Sequence, residues 1–282
     1  MAVFKYDNGH IYFADVGSGA PILLLHGLGN TGRAWTRQIW FLQAAGYRVI
    51  IPDLPGHGAS SPVTAPMSVD ELGALMSNFL KFLALDSADV VGVSLGGMVA
   101  LDMALRWPRF VNRLAVCNTF ATFSTNARVG MVAEWQRQLV SDGGCVKRFE
   151  QSWPQLVSDE YAATPSGLRT YLAWHAQAAT ASHESLVAIC EGMKRYDARA
   201  TLPSVSKDTL VITGELDTIA PPSEGEYIAS IVPNAMHVSL EGSRHLSNVD
   251  RAKAFNWTLL RFLGTERRTG LAPNDVNFPY QP

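Results

Sequence analysis

A chain of 282 residues, 47% of them hydrophobic, can bury a substantial interior either as one large α/β domain or as a core with an insertion. Its 23 basic and 25 acidic residues leave a formal net charge of −2 with no basic stripe, which argues against a nucleic-acid partner. Three separated cysteines, Cys117, Cys145 and Cys190, fit neither a disulfide framework nor a zinc pattern. With no signal-like N-terminus and no apolar run approaching about 18 residues, the expectation is a cytoplasmic protein that uses no membrane and no metal.

Asn8-Gly9, between aromatic-rich runs at residues 3–6 and 10–13, predicts a tight hairpin, because both positions tolerate positive φ. Residues 21–25 are apolar on both faces, as in a buried parallel strand. Trp35, Ile39 and Leu42 then share one helical face before Gly46, and residues 47–51 supply the next strand. Ser68 and Glu71 predict a capping box ahead of the stripe Leu72, Leu75, Met76, Phe79 and Leu83.

Val90-Val91-Gly92-Val93-Ser94-Leu95-Gly96-Gly97 is the most informative stretch. A β-branched run ends in Gly-x-Ser-x-Gly and becomes a helix that stops at Trp107-Pro108. Residues 111–117 form a further strand, and strand character resumes only at 209–213. The stretch between, residues 119–205, has helical periodicity and carries Trp135, Trp153, Tyr171 and Trp174. It is expected to be a helical lid holding the substrate pocket, inserted into a core made of residues 1–118 and 206–263. A last strand at 235–240, a final helix over 246–263 and an extended tail over 264–282 complete the prediction.

A serine hydroxyl is a weak nucleophile unless a base and an orienting acid accompany it. In this layout the acid and then the base follow the serine, each at the end of a later strand. Asp217, in Thr213-Gly214-Glu215-Leu216-Asp217, is the leading acid and Glu215 its rival; Asp208 precedes the strand and sits at the wrong end of the sheet. His245 follows the last strand and is the expected base, whereas His237 opens that strand. His10, His57, His175 and His183 have no matching position. The main-chain N–H groups of Leu28, in His26-Gly27-Leu28-Gly29, and of Leu95 are expected to hold an oxyanion. His26 and the turn Asp53-Leu54-Pro55-Gly56-His57-Gly58-Ala59-Ser60 are expected to organise loops. Arg33, Trp135, Trp153 and Trp174 are the candidate substrate contacts, with Arg128 and Arg137 as further candidates to receive a carboxylate.

Together these signatures resemble the α/β-hydrolase fold superfamily over residues 3–263. Ser94-Leu95-Gly96-Gly97-Met98 and His245-Leu246-Ser247-Asn248-Val249-Asp250, with Phe255-Asn256 downstream, look most like 3-oxoadipate enol-lactonases and related carboxylesterases. Those lactonases usually have an arginine before Gly-His-Gly, where this chain has Pro55. The resemblance implies a mostly parallel twisted sheet flanked by helices. It also implies cofactor-free, metal-free hydrolysis of a small-molecule ester or lactone through Ser94, Asp217 and His245 with an acyl-enzyme intermediate. The same triad serves thioesterases, acyltransferases, carbon–carbon bond hydrolases and cofactor-free haloperoxidases, and a non-catalytic ligand sensor could retain the pocket. The tail and the lid are the segments available to a homo-oligomer.

Overall fold

The computed structural model describes residues 2–7 and 9–264. Strands β1 (Ala2–Tyr6) and β2 (Gly9–Val16) form the expected antiparallel hairpin, Ala2 opposite Phe13. Asn8 and the tail over 265–282, on which two of the sequence expectations fall, lie outside the described residues. Strand β3 (Ala20–Leu25) leads to a 3-10 turn at Gly32–Trp35 and then α1 (Thr36–Ala44). The predicted helix thus begins one residue after Trp35, and Gly46, at φ 85°, turns the chain into β4 (Tyr47–Pro52). The capping box forms at the start of α2 (Val69–Phe82): Ser68 Oγ accepts from Glu71 N–H, and the Glu71 carboxylate accepts from Ser68 N–H at 2.7 Å. Strand β5 (Ala88–Val93), α3 (Leu95–Arg106) and β6 (Val111–Cys117) follow.

After β6 the chain makes α4 (Asn126–Val140), α5 (Gly144–Leu156), α6 (Asp159–Ala162), α7 (Pro165–Thr180) and α8 (His183–Met193) before returning to β7 (Thr209–Gly214). Helix α9 (Pro222–Ile231) and β8 (Ala235–Leu240) come next. The single final helix expected over 246–263 is two, α10 (Ser247–Asp250) and α11 (Ala252–Phe262), broken at Arg251 with φ −123°. The break falls where side chains turn back to neighbouring loops. Asp250 accepts from Ser243 Oγ, Arg244 N–H and Ser158 N–H, and Arg251 donates to the Glu241 carbonyl.

The described strands form one sheet in the order β1-β2-β4-β3-β5-β6-β7-β8, parallel from β4 to β8. Alternation along β3 sends Leu23 and Leu25 to one face and Ile22 and Leu24 to the other, all fully buried. The first face packs on α2, α3 and α9, the second on α1 and α11. Each such buried aliphatic side chain contributes about 1.5–3 kcal/mol, so the two layers fix the sheet and hence the positions of its strand ends. The loops leaving the carboxyl ends of β3, β5, β6, β7 and β8 converge at one edge, the usual ligand position in a parallel sheet.

Helices α4–α8 are tied to that edge by specific hydrogen bonds. His245 N–H and Leu246 N–H donate to the carbonyls of Gln155 and Leu156 at the end of α5, at 3.4 and 2.8 Å. Gln177 on α7 accepts from Thr31 Oγ1 at 2.9 Å.

Candidate active site

Ser94 occupies the turn between β5 and α3 with φ 55° and ψ −117°, a conformation that costs a non-glycine residue on the order of 1–3 kcal/mol. The glycines around it show why no other residue type fits. A Cβ on Gly92 would meet the Gly96 carbonyl oxygen at 2.1 Å, and one on Gly96 would meet the Leu25 carbonyl oxygen at 2.2 Å. Strand and helix therefore approach as closely as backbone allows, and the side chain of Ser94 is left at the sheet edge. Thr119 Oγ1 donates to the Ser94 carbonyl at 2.7 Å and pins the turn from β6. Leu95 opens α3, so its N–H belongs to the first-turn donors that have no intrahelical acceptor.

His245 Nδ1–H donates to Asp217 Oδ2 at 2.9 Å, and both side chains are buried. Asp217 follows β7 and is held on every side. Oδ1 accepts from Ile219 and Ala220 N–H at 2.8 and 3.0 Å, and Oδ2 also accepts from Asn118 Nδ2 at 3.0 Å. Burial alone would raise its pKa, but the His245 charge and these hydrogen bonds outweigh burial and hold the carboxyl below its ordinary value. Glu215 is exposed and accepts from Gly242 N–H at 2.8 Å, stitching the turn after β8. Of the two carboxylates weighed in the sequence, the structure brings Asp217 to the imidazole. His237 is on β8, its Nε2 paired with Thr213 Oγ1 at 2.9 Å.

Two further imidazoles shape the loop after β3. His26 Nε2 accepts from Leu54 N–H at 2.9 Å and His57 Nε2 from Gly29 N–H at 3.0 Å, while each Nδ1–H donates to a carbonyl, of Gly27 and Pro55 respectively. A ring nitrogen that accepts from an amide cannot also carry a proton, so both rings are neutral. Burial accordingly depresses the pKa of His26 to about 4 and, with a smaller contribution from His26, that of His57 to about 3. Gly29 N–H is thereby occupied, whereas Leu28 N–H makes no hydrogen bond among the described residues.

Ser94, His245, Leu28 and Gly27 open on one cavity of about 350 Å³, whose remaining wall comes largely from α4, α5 and α7. No hydrogen bond joins Ser94 Oγ to His245 among the described residues, although both line this space. Trp135 and Trp174 line it as well. Two expected contacts do not. Arg33 lies exposed on the 3-10 turn, whose inward positions are taken by Ala34 and Trp35. Trp153 is buried behind the wall, packed on Phe149, Tyr171 and Trp174 at ring distances of 5.7, 5.3 and 6.2 Å. Arg128 is ion-paired with Glu224 over Phe120, and Arg137 with Glu134 at the surface.

The arginine that lines the cavity is Arg148. It heads a polar stripe on α5, Arg148, Gln151, Ser152 and Gln155, spaced i, i+3, i+4, i+7 and all on the cavity wall. That spacing was available in the sequence, but a polar stripe ordinarily marks a solvated face. Asn118, Thr119 and Asp250 were likewise missed; their one signal is position, immediately after β6 for the first two. Among the described residues no group of three His, Cys, Asp or Glu side chains is placed to hold a metal ion, and no helix is long and apolar enough to cross a membrane.

Residues 20–252 match the model of the alpha/beta hydrolase fold family. This chain belongs to that family. A curated relative, 3-oxoadipate enol-lactonase 2 of Acinetobacter baylyi, is 28% identical over 237 residues, covering 83% of this chain and 85% of its own. A 2-hydroxy-6-oxononadienedioate/2-hydroxy-6-oxononatrienedioate hydrolase of Cupriavidus pinatubonensis is 29% identical and covers 90% of both chains. Among solved structures, a hydrolase from Pseudomonas aeruginosa superposes with a TM-score of 0.85 at 26% identity, over 93% of this chain and 98% of its own. The family membership and these relatives make the chain a hydrolase; the bond it cleaves is a separate question.

Proposed function

We propose that this hydrolase cleaves a small ester or lactone through Ser94, His245 and Asp217. The observation that carries the reading is the shared cavity: a serine held in a left-handed turn and a histidine bonded to a buried carboxylate open on the same space. His245 Nε2 takes the Ser94 proton as Ser94 Oγ attacks the carbonyl carbon, and Asp217 keeps the proton on Nδ1 and stabilises the imidazolium. The N–H groups of Leu28 and Leu95 receive the oxyanion. His245 returns the proton to the departing alkoxide, then activates water to release the acid and restore Ser94. Helices α4–α8 act as the lid that sizes the acyl or alcohol group. Support for the ester or lactone assignment comes from the enol-lactonase relative, and support for the roles from hydrogen-bond direction at Asp217 and His245.

The test is a side-by-side panel of esters, lactones, thioesters and a vinylogous diketone, together with labelling by a fluorophosphonate. Esters or lactones should turn over fastest, with one adduct per chain mapped to Ser94 by mass spectrometry. Preferred cleavage of the diketone would move the assignment to carbon–carbon hydrolysis, and an adduct elsewhere would remove Ser94 from its role.

A further inference from the structure

Arg148 has no ion-pair partner among the described residues; Glu134 acts on it only through its field. Among the described residues its hydrogen bond is from Nη1 to Gln138 Oε1 at 2.7 Å, its guanidinium lies over the Trp135 ring at 4.9 Å, and it forms no ion pair. Three other arginines at or near α4–α8 are paired: Arg128 with Glu224, Arg137 with Glu134, Arg244 with Asp159. Trp135 and Gln138 hold the guanidinium in place from α4, so its position does not depend on a ligand. Leaving such a group partly desolvated and unpaired is costly unless an anion completes it.

The cavity fixes what kind of anion that is. Its charged lining consists of Arg148 and Glu134, with His245 as the titratable group beside Ser94. The Glu134 carboxylate accepts from Arg137 Nε at 2.7 Å and Gln138 Nε2 at 3.0 Å, so its hydrogen bonds stay on its own helix and it reaches Arg148 through its field, not as an ion pair. It nevertheless sets a limit, because its repulsion weighs about twice as heavily on a dianion such as a phosphate monoester as on a monoanion. The guanidinium edge left by the Gln138 contact presents two parallel N–H donors, the geometry that matches a carboxylate. The Gln151, Ser152 and Gln155 side chains continue along the same helix face toward the His245 loop and supply neutral polar contacts between.

We propose that Arg148 receives a free carboxylate on the substrate, so that the enzyme's substrates are esters or lactones carrying one acid group remote from the scissile carbonyl. The inference rests on the ester or lactone reading above and names its substrate class.

The deciding measurement is a specificity ratio. For wild type, Arg148→Met and Arg148→Lys, kcat/KM is measured on mono-4-nitrophenyl glutarate and on 4-nitrophenyl butyrate, which share a leaving group and differ in the acid. The ratio of acid to neutral ester should exceed one in wild type and fall about 100-fold in Arg148→Met, with Arg148→Lys between, as expected when one partner of a desolvated charge pair is truncated. Should the methionine variant not fold, the lysine variant reads the same ratio. A ratio unchanged within about threefold in both variants would overturn the proposal. Independently of turnover, Ser94→Ala protein should bind monomethyl glutarate by calorimetry more tightly than methyl butyrate, and lose that preference when Arg148 is also changed to Met. Binding through Arg148 with no ester cleavage by wild type would sink the hydrolase reading and keep the carboxylate site. Cleavage of both esters with no binding preference would do the reverse.

Discussion

The edge of the sheet and the helices above it are built on opposite principles. At the sheet edge the polar groups that hold the frame are committed. Asp217 accepts four hydrogen bonds, His26 and His57 each spend both ring nitrogens on backbone, and glycines at 92 and 96 leave no room for a side chain. On the helical wall polar groups face an open cavity with capacity to spare: an unpaired arginine, three glutamines and a serine on α5 and α7. Under the proposed function the contrast separates two tasks. Groups that must hold one geometry through a reaction are pre-ordered by the frame, because reorganisation during bond making would cost rate. Groups that choose among substrates retain unfilled hydrogen-bonding positions, which only the matching ligand satisfies.

The largest test of that division is Ser94→Ala. It should lower turnover by roughly 10⁴ to 10⁶ while leaving the thermal midpoint unchanged or slightly raised, since alanine relieves none of the sheet packing. A loss below a hundredfold would mean that another nucleophile does the chemistry. Next in size, Asp217→Asn should reduce kcat by about 10³ to 10⁴ by presenting the wrong imidazole tautomer to Ser94. Glu215→Gln, which touches only the Gly242 turn, should cost far less; equal losses would dissolve the distinction between the two carboxylates.

On the wall, effects should be smaller and selective. Trp174→Leu or Gln155→Ala should reorder a panel of acyl chain lengths by about tenfold, an amount one lost pocket contact supplies. A uniform loss across the panel would show instead that the wall supports the frame rather than choosing substrates. The smallest effect concerns stability and belongs to the frame. His26 and His57 have folded pKa values below the ordinary 6.5, so the unfolded chain binds more protons as the solution is acidified. Their contribution is complete above about pH 6.5 and is lost as pH falls toward 4. Urea midpoints should therefore decline between pH 7 and pH 5, and a flat profile there would contradict two buried neutral imidazoles.

What could be read in advance follows the same boundary. The capping box at Ser68 and Glu71, the strand ends and the Gly-x-Ser-x-Gly turn were legible because each is a local bargain between neighbours in sequence. The pairing of His245 with Asp217, not Glu215, was legible through position in the loop. Arg33 and Trp153 misled for one reason: residue type suggests that a side chain can contact a ligand, but the rotation of its element decides whether it does. The break at Arg251 was hidden as well, since the side chains that turn back there reach Ser158, Glu160 and Ser243 from distant parts of the chain.

The sequence by itself determined the order of strands and helices, the strained serine turn and the succession of serine, acid and histidine, all of which depend on backbone sterics and short-range periodicity. Tertiary structure alone decided which face of α5 became the wall of a cavity. A stripe of Arg148, Gln151, Ser152 and Gln155 looks the same whether it meets water or a ligand. Only the docking of α5 against the His245 loop, through the carbonyls of Gln155 and Leu156, turns it inward and gives an unpaired arginine a place beside Ser94's cavity.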